Sequence, residues 1–120
     1  MPVLVDPSYR KVPVGRAAAR LAQAVYDLVV YFPADEKSGL TATLKRAATS
    51  IPPKIAEGFM QDDPADVTRT LEATISSLRE LAGYLDVAQS LRMTSRRRFR
   101  RPRRRAYVLH DRLCDVLDAI

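Results

Sequence analysis

Two adjacent prolines, Pro52 and Pro53, stand inside a stretch whose apolar residues keep a helical period straight through them. At about 100° per residue, Leu40, Leu44, Ala48, Ile51, Ile55 and Phe59 share one stripe, and Lys45, Arg46, Thr49, Pro53 and Glu57 share the opposite side. A proline inside a helix withholds a backbone donor and crowds the preceding turn, here at the carbonyls of Ala48 and Thr49. The phase survives all the same, which predicts a proline-kinked helix over 39–59, built as two pieces on nearly one axis. In that reading Ser50 caps the second piece and both prolines sit in its first turn, where N–H groups lack partners anyway. Gly58 then ends it.

The remaining segments carry the same signal. Val14, Ala18, Leu21, Val25, Leu28 and Phe32 alternate steps of four and three, predicting a first helix over 13–32 bounded by Pro13 and Pro33. Ala17, Ala24, Val29 and Tyr31 lie off that seam and point to a second interface. The polar Ala34–Gly39 segment connects to the kinked helix. A third helix is predicted over 64–91, with Asp63 as its cap, Pro64 at its first position, Asp66 two residues later, and a seam of Val67, Leu71, Thr74, Leu78, Leu81, Leu85 and Ala88. Thr74 is the one polar entry, and its hydroxyl can bond back to the Thr70 carbonyl. In the last segment, 95–120, Phe99, Pro102, Ala106, Leu109, Leu113, Val116 and Ile120 repeat the pattern. The favoured reading starts this helix near Ser95 and kinks it at Pro102; the alternative starts it at Arg101 after an arginine-rich arm. Short connections between four such helices predict an all-α, antiparallel up-down-up-down four-helix bundle over 13–120, preceded by an arm over 1–12.

Arg46-Ala47, Ser50-Ile51-Pro52 and Ile55-Ala56-Glu57-Gly58, followed by Ser77-Leu78 and Glu80-Leu81, resemble the small bacterial four-helix bundle proteins also called the 23S rRNA intervening-sequence protein family. The likeness runs from about residue 9 to the end. Two departures stand out: Pro53-Lys54, where that family has a small or polar residue followed by asparagine, and an arginine-rich start to the last helix. The resemblance implies a helical bundle assembled as a homopentameric ring. It also implies a loose link to nucleic acid, partly through kinship with accessory proteins of diversity-generating retroelements, and no enzymatic activity. On this basis Arg46, Ser50, Pro52, Glu57, Gly58 and Glu80 are structural or interface residues, the two carboxylates able to hold an interface through an arginine.

Composition narrows the function classes. With 120 residues, 47% hydrophobic and 28% charged, the chain suits one globular domain. Its single cysteine, Cys114, excludes an internal disulfide and suits a reducing cytoplasm. The first residues lack the pattern of a signal peptide, and no apolar run approaches the roughly 20 residues needed to span a bilayer. No phosphate-binding glycine loop, zinc spacing or nucleophile–base pairing is present, so no enzyme, cofactor, metal or small-molecule substrate is expected. His110, the lone histidine, reads as an edge residue, and Cys114 one turn on reads as packing.

The strongest functional signal is charge. Arg96, Arg97, Arg98, Arg100, Arg101, Arg103, Arg104 and Arg105 put eight cations into ten residues, leaving 12 basic against 14 acidic side chains elsewhere. Four pairs in the run are like charges at i, i+4, each costing about 0.2–0.5 kcal/mol, and the run opens a helix, the end whose dipole disfavours cations. In the predicted topology it shares its end with Asp35, Glu36 and Asp86, while Asp62, Asp63 and Asp66 lie at the far end. Three acids cannot neutralise eight arginines. The candidates for the missing charge are RNA or DNA phosphates, an acidic protein or neighbouring-subunit surface, or solvent alone; arginine suits phosphate through forked contacts. Lys45, Arg46 and Lys54 can extend the basic surface or pair with Glu57 or another subunit. Few aromatics accompany the run, Phe99 being core, so charge-driven binding without base stacking is expected.

Overall fold

The computed structural model describes residues 13–37 and 39–120; the arm expected over 1–12 lies outside them. Among the described residues are four α-helices and no strand: α1 (Pro13–Val29), α2 (Leu40–Phe59), α3 (Pro64–Ser90) and α4 (Arg100–Asp118), with short 3₁₀ segments at Ala34–Glu36 and Arg96–Phe99. Each helix packs against its neighbours in the chain, and α4 closes against α1. Most of the predicted seam residues line the shared core, with Leu21, Val25, Leu44, Ile51, Ile55, Leu71, Leu81, Leu85, Leu109 and Leu113 all fully buried, whereas Phe59 and Ile120, the last residues of their seams, are exposed. Thr74 is buried too, its hydroxyl donating to the Thr70 carbonyl at 2.9 Å.

Three local expectations need correction. The first helix stops at Val29, and Tyr31 and Phe32 lie in the tightened turn that follows, their amides donating to Leu28 and Val29. Ala17, Ala24 and Val29 are buried within the bundle, because α1 touches both α2 and α4 and needs a wide apolar face; of that set only Tyr31 reaches the surface. Finally, α2 is a single helix through Pro52 and Pro53, and Ser50 does not cap a second piece: its hydroxyl donates to the Ala47 carbonyl at 2.8 Å instead of accepting from an N–H.

Gly58 also differs from its expected role. It is a buried helical residue, and α2 ends after it at Phe59 without a left-handed glycine. A Cβ built on Gly58 would lie 2.9 Å from Leu71 Cδ2 and 3.4 Å from Thr70 Cγ2, so the missing side chain lets α2 and α3 approach closely. Gly58→Val is expected to cost about 1–3 kcal/mol through overpacking, read as a lower urea midpoint with an unchanged slope.

The third helix begins as predicted. Asp63 accepts from the Ala65 amide at 2.9 Å, and Pro64 takes the first position, where its missing N–H is harmless. Its end is unusual. Arg92 adopts φ 56°, the Met93 amide donates to Ala88 O at 3.1 Å, and the Arg92 amide donates to Gln89 O at 3.0 Å. This double bond pattern closes a helix around a left-handed residue that is ordinarily glycine. An L-residue there costs about 1–2 kcal/mol and glycine gives back about 0.5–1 through its freer unfolded chain, so Arg92→Gly should raise stability by about 0.5–1 kcal/mol in a denaturant titration.

Candidate functional site

The arginine run occupies the 3₁₀ segment Arg96–Phe99 and the opening turns of α4. The last α-helix does not run from Ser95 through a kink at Pro102; it follows an arginine-rich 3₁₀ segment and begins within one residue of the alternative start at Arg101. The α-helix starts at Arg100, which puts Pro102 in the first turn, where no intrahelical donor is lost. The 3₁₀ segment then joins it to the turn after α3, with the Arg98 amide donating to Ser95 O at 3.0 Å. Phe99 is fully buried, its ring centroid 6.1 Å from that of Phe32, and Pro102 is buried as well. These two inward residues turn the intervening side chains out: Arg96, Arg97, Arg98, Arg100, Arg101 and Arg104 are exposed, and Arg103 and Arg105 half-buried.

Part of the charge is answered from within. Arg101 Nη1 pairs with Asp27 Oδ2 at 2.8 Å, and Arg103 reaches both the Asp86 carboxylate and Gln89 Oε1, the latter at 2.8 Å from Nε. Arg98 lies over the Tyr31 ring, 3.6 Å from its centroid. Of the three acids expected nearby, Asp86 takes part; Glu36 instead accepts from the Leu40 amide at 3.4 Å. Among the described residues, no carboxylate lies within 4.0 Å of Arg96, Arg97, Arg100, Arg104 or Arg105. No acidic residue stands in the first turn of α4 to offset them. The run borders adjoining surface depressions that share residues and so form one basic end. One of about 750 Å³ lies beside Asp27, Tyr31, Arg98 and Arg101, and another of about 670 Å³ beside Asp86, Gln89, Arg92 and Arg96. Exposed guanidinium groups without carboxylate partners, set side by side, can take forked contacts from an extended anion.

The residues of the α2–α3 motif do not join this site as a group. Lys54 Nζ donates to Ser77 Oγ at 2.7 Å, tying α2 to α3 rather than pairing with Glu57. Lys45 sits over the Tyr26 ring, 5.1 Å from its centroid. Arg46 and Glu57 are exposed, Ser50 and Pro52 half-buried, and Gly58 buried. Glu80 accepts from the Tyr84 hydroxyl at 3.1 Å, and that hydrogen bond, with the carboxylate's charge, holds the hydroxyl above the usual phenol range; the nearby charge of Arg46 opposes it. His110 is half-buried, with Nδ1 3.9 Å from Cys114 Sγ. The described residues include no group of three or more histidines, cysteines or acids placed to hold a metal, and no helix long and apolar enough to cross a membrane.

Sequence alone missed four contributors to the basic end: Asp27, Tyr31, Gln89 and Arg92. Asp27 and Arg101 each directly precede a seam residue, Leu28 and Pro102, so their pairing becomes legible once α1 and α4 are known to be neighbours. Arg92 gives no sequence signal at all, because only the backbone reveals a cation where glycine is favoured.

Comparison with curated proteins finds no match. The family model described as 23S rRNA-intervening sequence protein matches residues 10–113, which include the α2–α3 motif and most of the arginine-bearing helix. With that match extending over most of its length, this helical chain belongs to the 23S rRNA-intervening sequence protein family.

Proposed function

We propose that this chain is a non-enzymatic, cytoplasmic scaffold or adaptor that assembles as a homo-oligomer, a ring of five, and contacts RNA or DNA phosphates through Arg96–Arg98, Arg100, Arg101 and Arg103–Arg105. One observation carries the reading: six of the eight arginines, Arg98 among them, have no carboxylate within 4.0 Å among the described residues, although they crowd one end of the bundle. Their mutual repulsion opposes folding locally, and a polyanion relieves it. The family's name refers to ribosomal RNA, which suits such a partner. The ring of five rests on the family resemblance, and exposed Glu57 and Glu80 are the residues offered to a neighbouring subunit's arginines.

In this reading the helices alternate up and down. The end of α1 meeting the start of α4, through Asp27–Arg101 and Tyr31–Arg98, supports it, as does the end of α2 meeting the start of α3 at Gly58 and Leu71. A bend near Pro52 accompanies it, supported by the proline pair and by the Thr49 and Ser50 hydroxyls bonding back to Lys45 O and Ala47 O at 2.8 Å.

The test is a titration with structured RNA and with DNA at two salt concentrations, repeated with all eight arginines changed to Gln. Binding that falls steeply with salt and disappears in the variant supports the reading. Absent or salt-insensitive binding, or no loss in the variant, removes it. A second reading, an adaptor for acidic protein surfaces, draws on the Arg101–Asp27 and Arg103–Asp86 pairs, where carboxylates already engage the run. It predicts that neither nucleic acid binds and that an acidic polypeptide does.

A further inference from the structure

We infer that the cleft beside Tyr31 and Arg98 holds an unpaired nucleobase, so that the basic end takes a single-stranded segment in preference to a duplex. This rests on the phosphate-contact reading above and names the form of nucleic acid it favours.

The observation behind it is an aromatic brought to the arginines from a distant part of the chain. Tyr31 follows α1, is 55% exposed, and stands next to Val30, which is 76% exposed. Neither is needed by the core, since the adjacent Phe32 fills that role. The buried Phe32–Phe99 contact holds two chain segments together, and it is the residue before each phenylalanine, Tyr31 and Arg98, that meets on the surface. The guanidinium therefore lies 3.6 Å from the ring centroid as a consequence of core packing, before any ligand arrives. Exposed aromatic rings and guanidinium planes are the two protein surfaces on which unstacked bases rest.

The rest of the cleft fits the remainder of a nucleotide. Arg97 lines it with Arg98 and can hold a flanking phosphate, while the Ser95 hydroxyl offers a polar group to a base edge; Arg101 and Asp27 also line it, paired with each other. Its volume is about 750 Å³, open to solvent and bounded by both apolar and cationic residues. A duplex presents phosphates but keeps the faces of its bases stacked inside. Only an unpaired base can use the ring and the arginines together.

The test uses the intact protein and three probes of matched sequence: a short single-stranded RNA, an abasic strand of equal charge, and the annealed duplex. The expected result is that the single strand binds about tenfold more tightly than the abasic strand, the increment of one stacked base. Tyr31→Leu, checked by thermal melting to be folded, should erase that tenfold difference while leaving the salt-dependent binding of the abasic strand intact. Equal binding of the single-stranded and abasic probes, duplex binding as tight as single-stranded binding, or an unchanged preference in Tyr31→Leu would each overturn the inference while leaving phosphate contact standing. A Tyr31→Leu variant that keeps its base preference but changes subunit association would also overturn it, assigning Tyr31 to an interface between copies. If no probe binds at all, the phosphate-contact reading fails and this one with it.

Discussion

Phe99→Ala is expected to lower the stability of the folded chain by about 3–5 kcal/mol, a large share of the roughly 5–15 kcal/mol that holds a typical domain together. Phe99 is fully buried, has no polar atom to be satisfied elsewhere, and meets Phe32 at an angle of 36° between ring planes. Aromatic pairs of this kind add to the area they bury, and truncation leaves a void that the neighbours fill only in part. The measurement is a urea titration at one fixed protein concentration, because self-association would otherwise shift the midpoint. A functional signature accompanies the loss. The phenylalanine pair sets the register between the turn after α1 and the 3₁₀ segment, so a conservative Phe99→Leu should keep the fold and still weaken the Arg98–Tyr31 contact. A loss below about 1 kcal/mol for Phe99→Ala would mean that the site collapses without cost, and the basic end would then need another anchor.

Changing Arg96, Arg97, Arg100, Arg104 and Arg105 together to Gln should move two readouts in opposite directions. Nucleic-acid affinity at low salt is expected to fall by roughly two to three orders of magnitude, and the slope of log K against log salt to flatten by about 3.5–4.5, since each phosphate contact contributes about 0.7–0.9. Stability without ligand should rise by about 1–2 kcal/mol at low salt. All four i, i+4 repulsions in the run involve one of these five residues, and Gln is as good a helix former as Arg. The paired arginines provide the contrast. Arg101→Gln with Arg103→Gln removes the contacts to Asp27 and Asp86, exposed pairs worth about 0–1 kcal/mol, but also relieves the two repulsions that include Arg101, so stability should stay nearly level rather than rise. Calorimetry and a salt-dependent binding isotherm on the same preparations separate the two classes. If the five-residue variant is less stable than its parent, those arginines answer to a partner within the assembled protein, and the proposed polyanion has no role.

Residues three and four apart on a helix share a face whatever the rest of the chain does, and that spacing alone made four helices and nearly every core position legible. Asp63 and Pro64 announced the start of α3 for an equally local reason, and the concentration of charge in 96–105 needed only counting. Some nearby features were not decidable locally. Gly58 looked like a helix stop, and only the approach of Leu71 from α3 shows that it is a point of close packing. Pro102 looked like a kink, and only the hydrogen bonds of the neighbouring turn place it in a helix start. The basic end depended most on tertiary structure. Which arginines find a carboxylate, and that Tyr31 comes to lie against Arg98, follow from α1 and α4 packing side by side across some seventy residues of chain. Periodicity tells each helix which face to bury; it carries no information about which other helix will cover it, and charge pairing and ring contacts exist only between those partners.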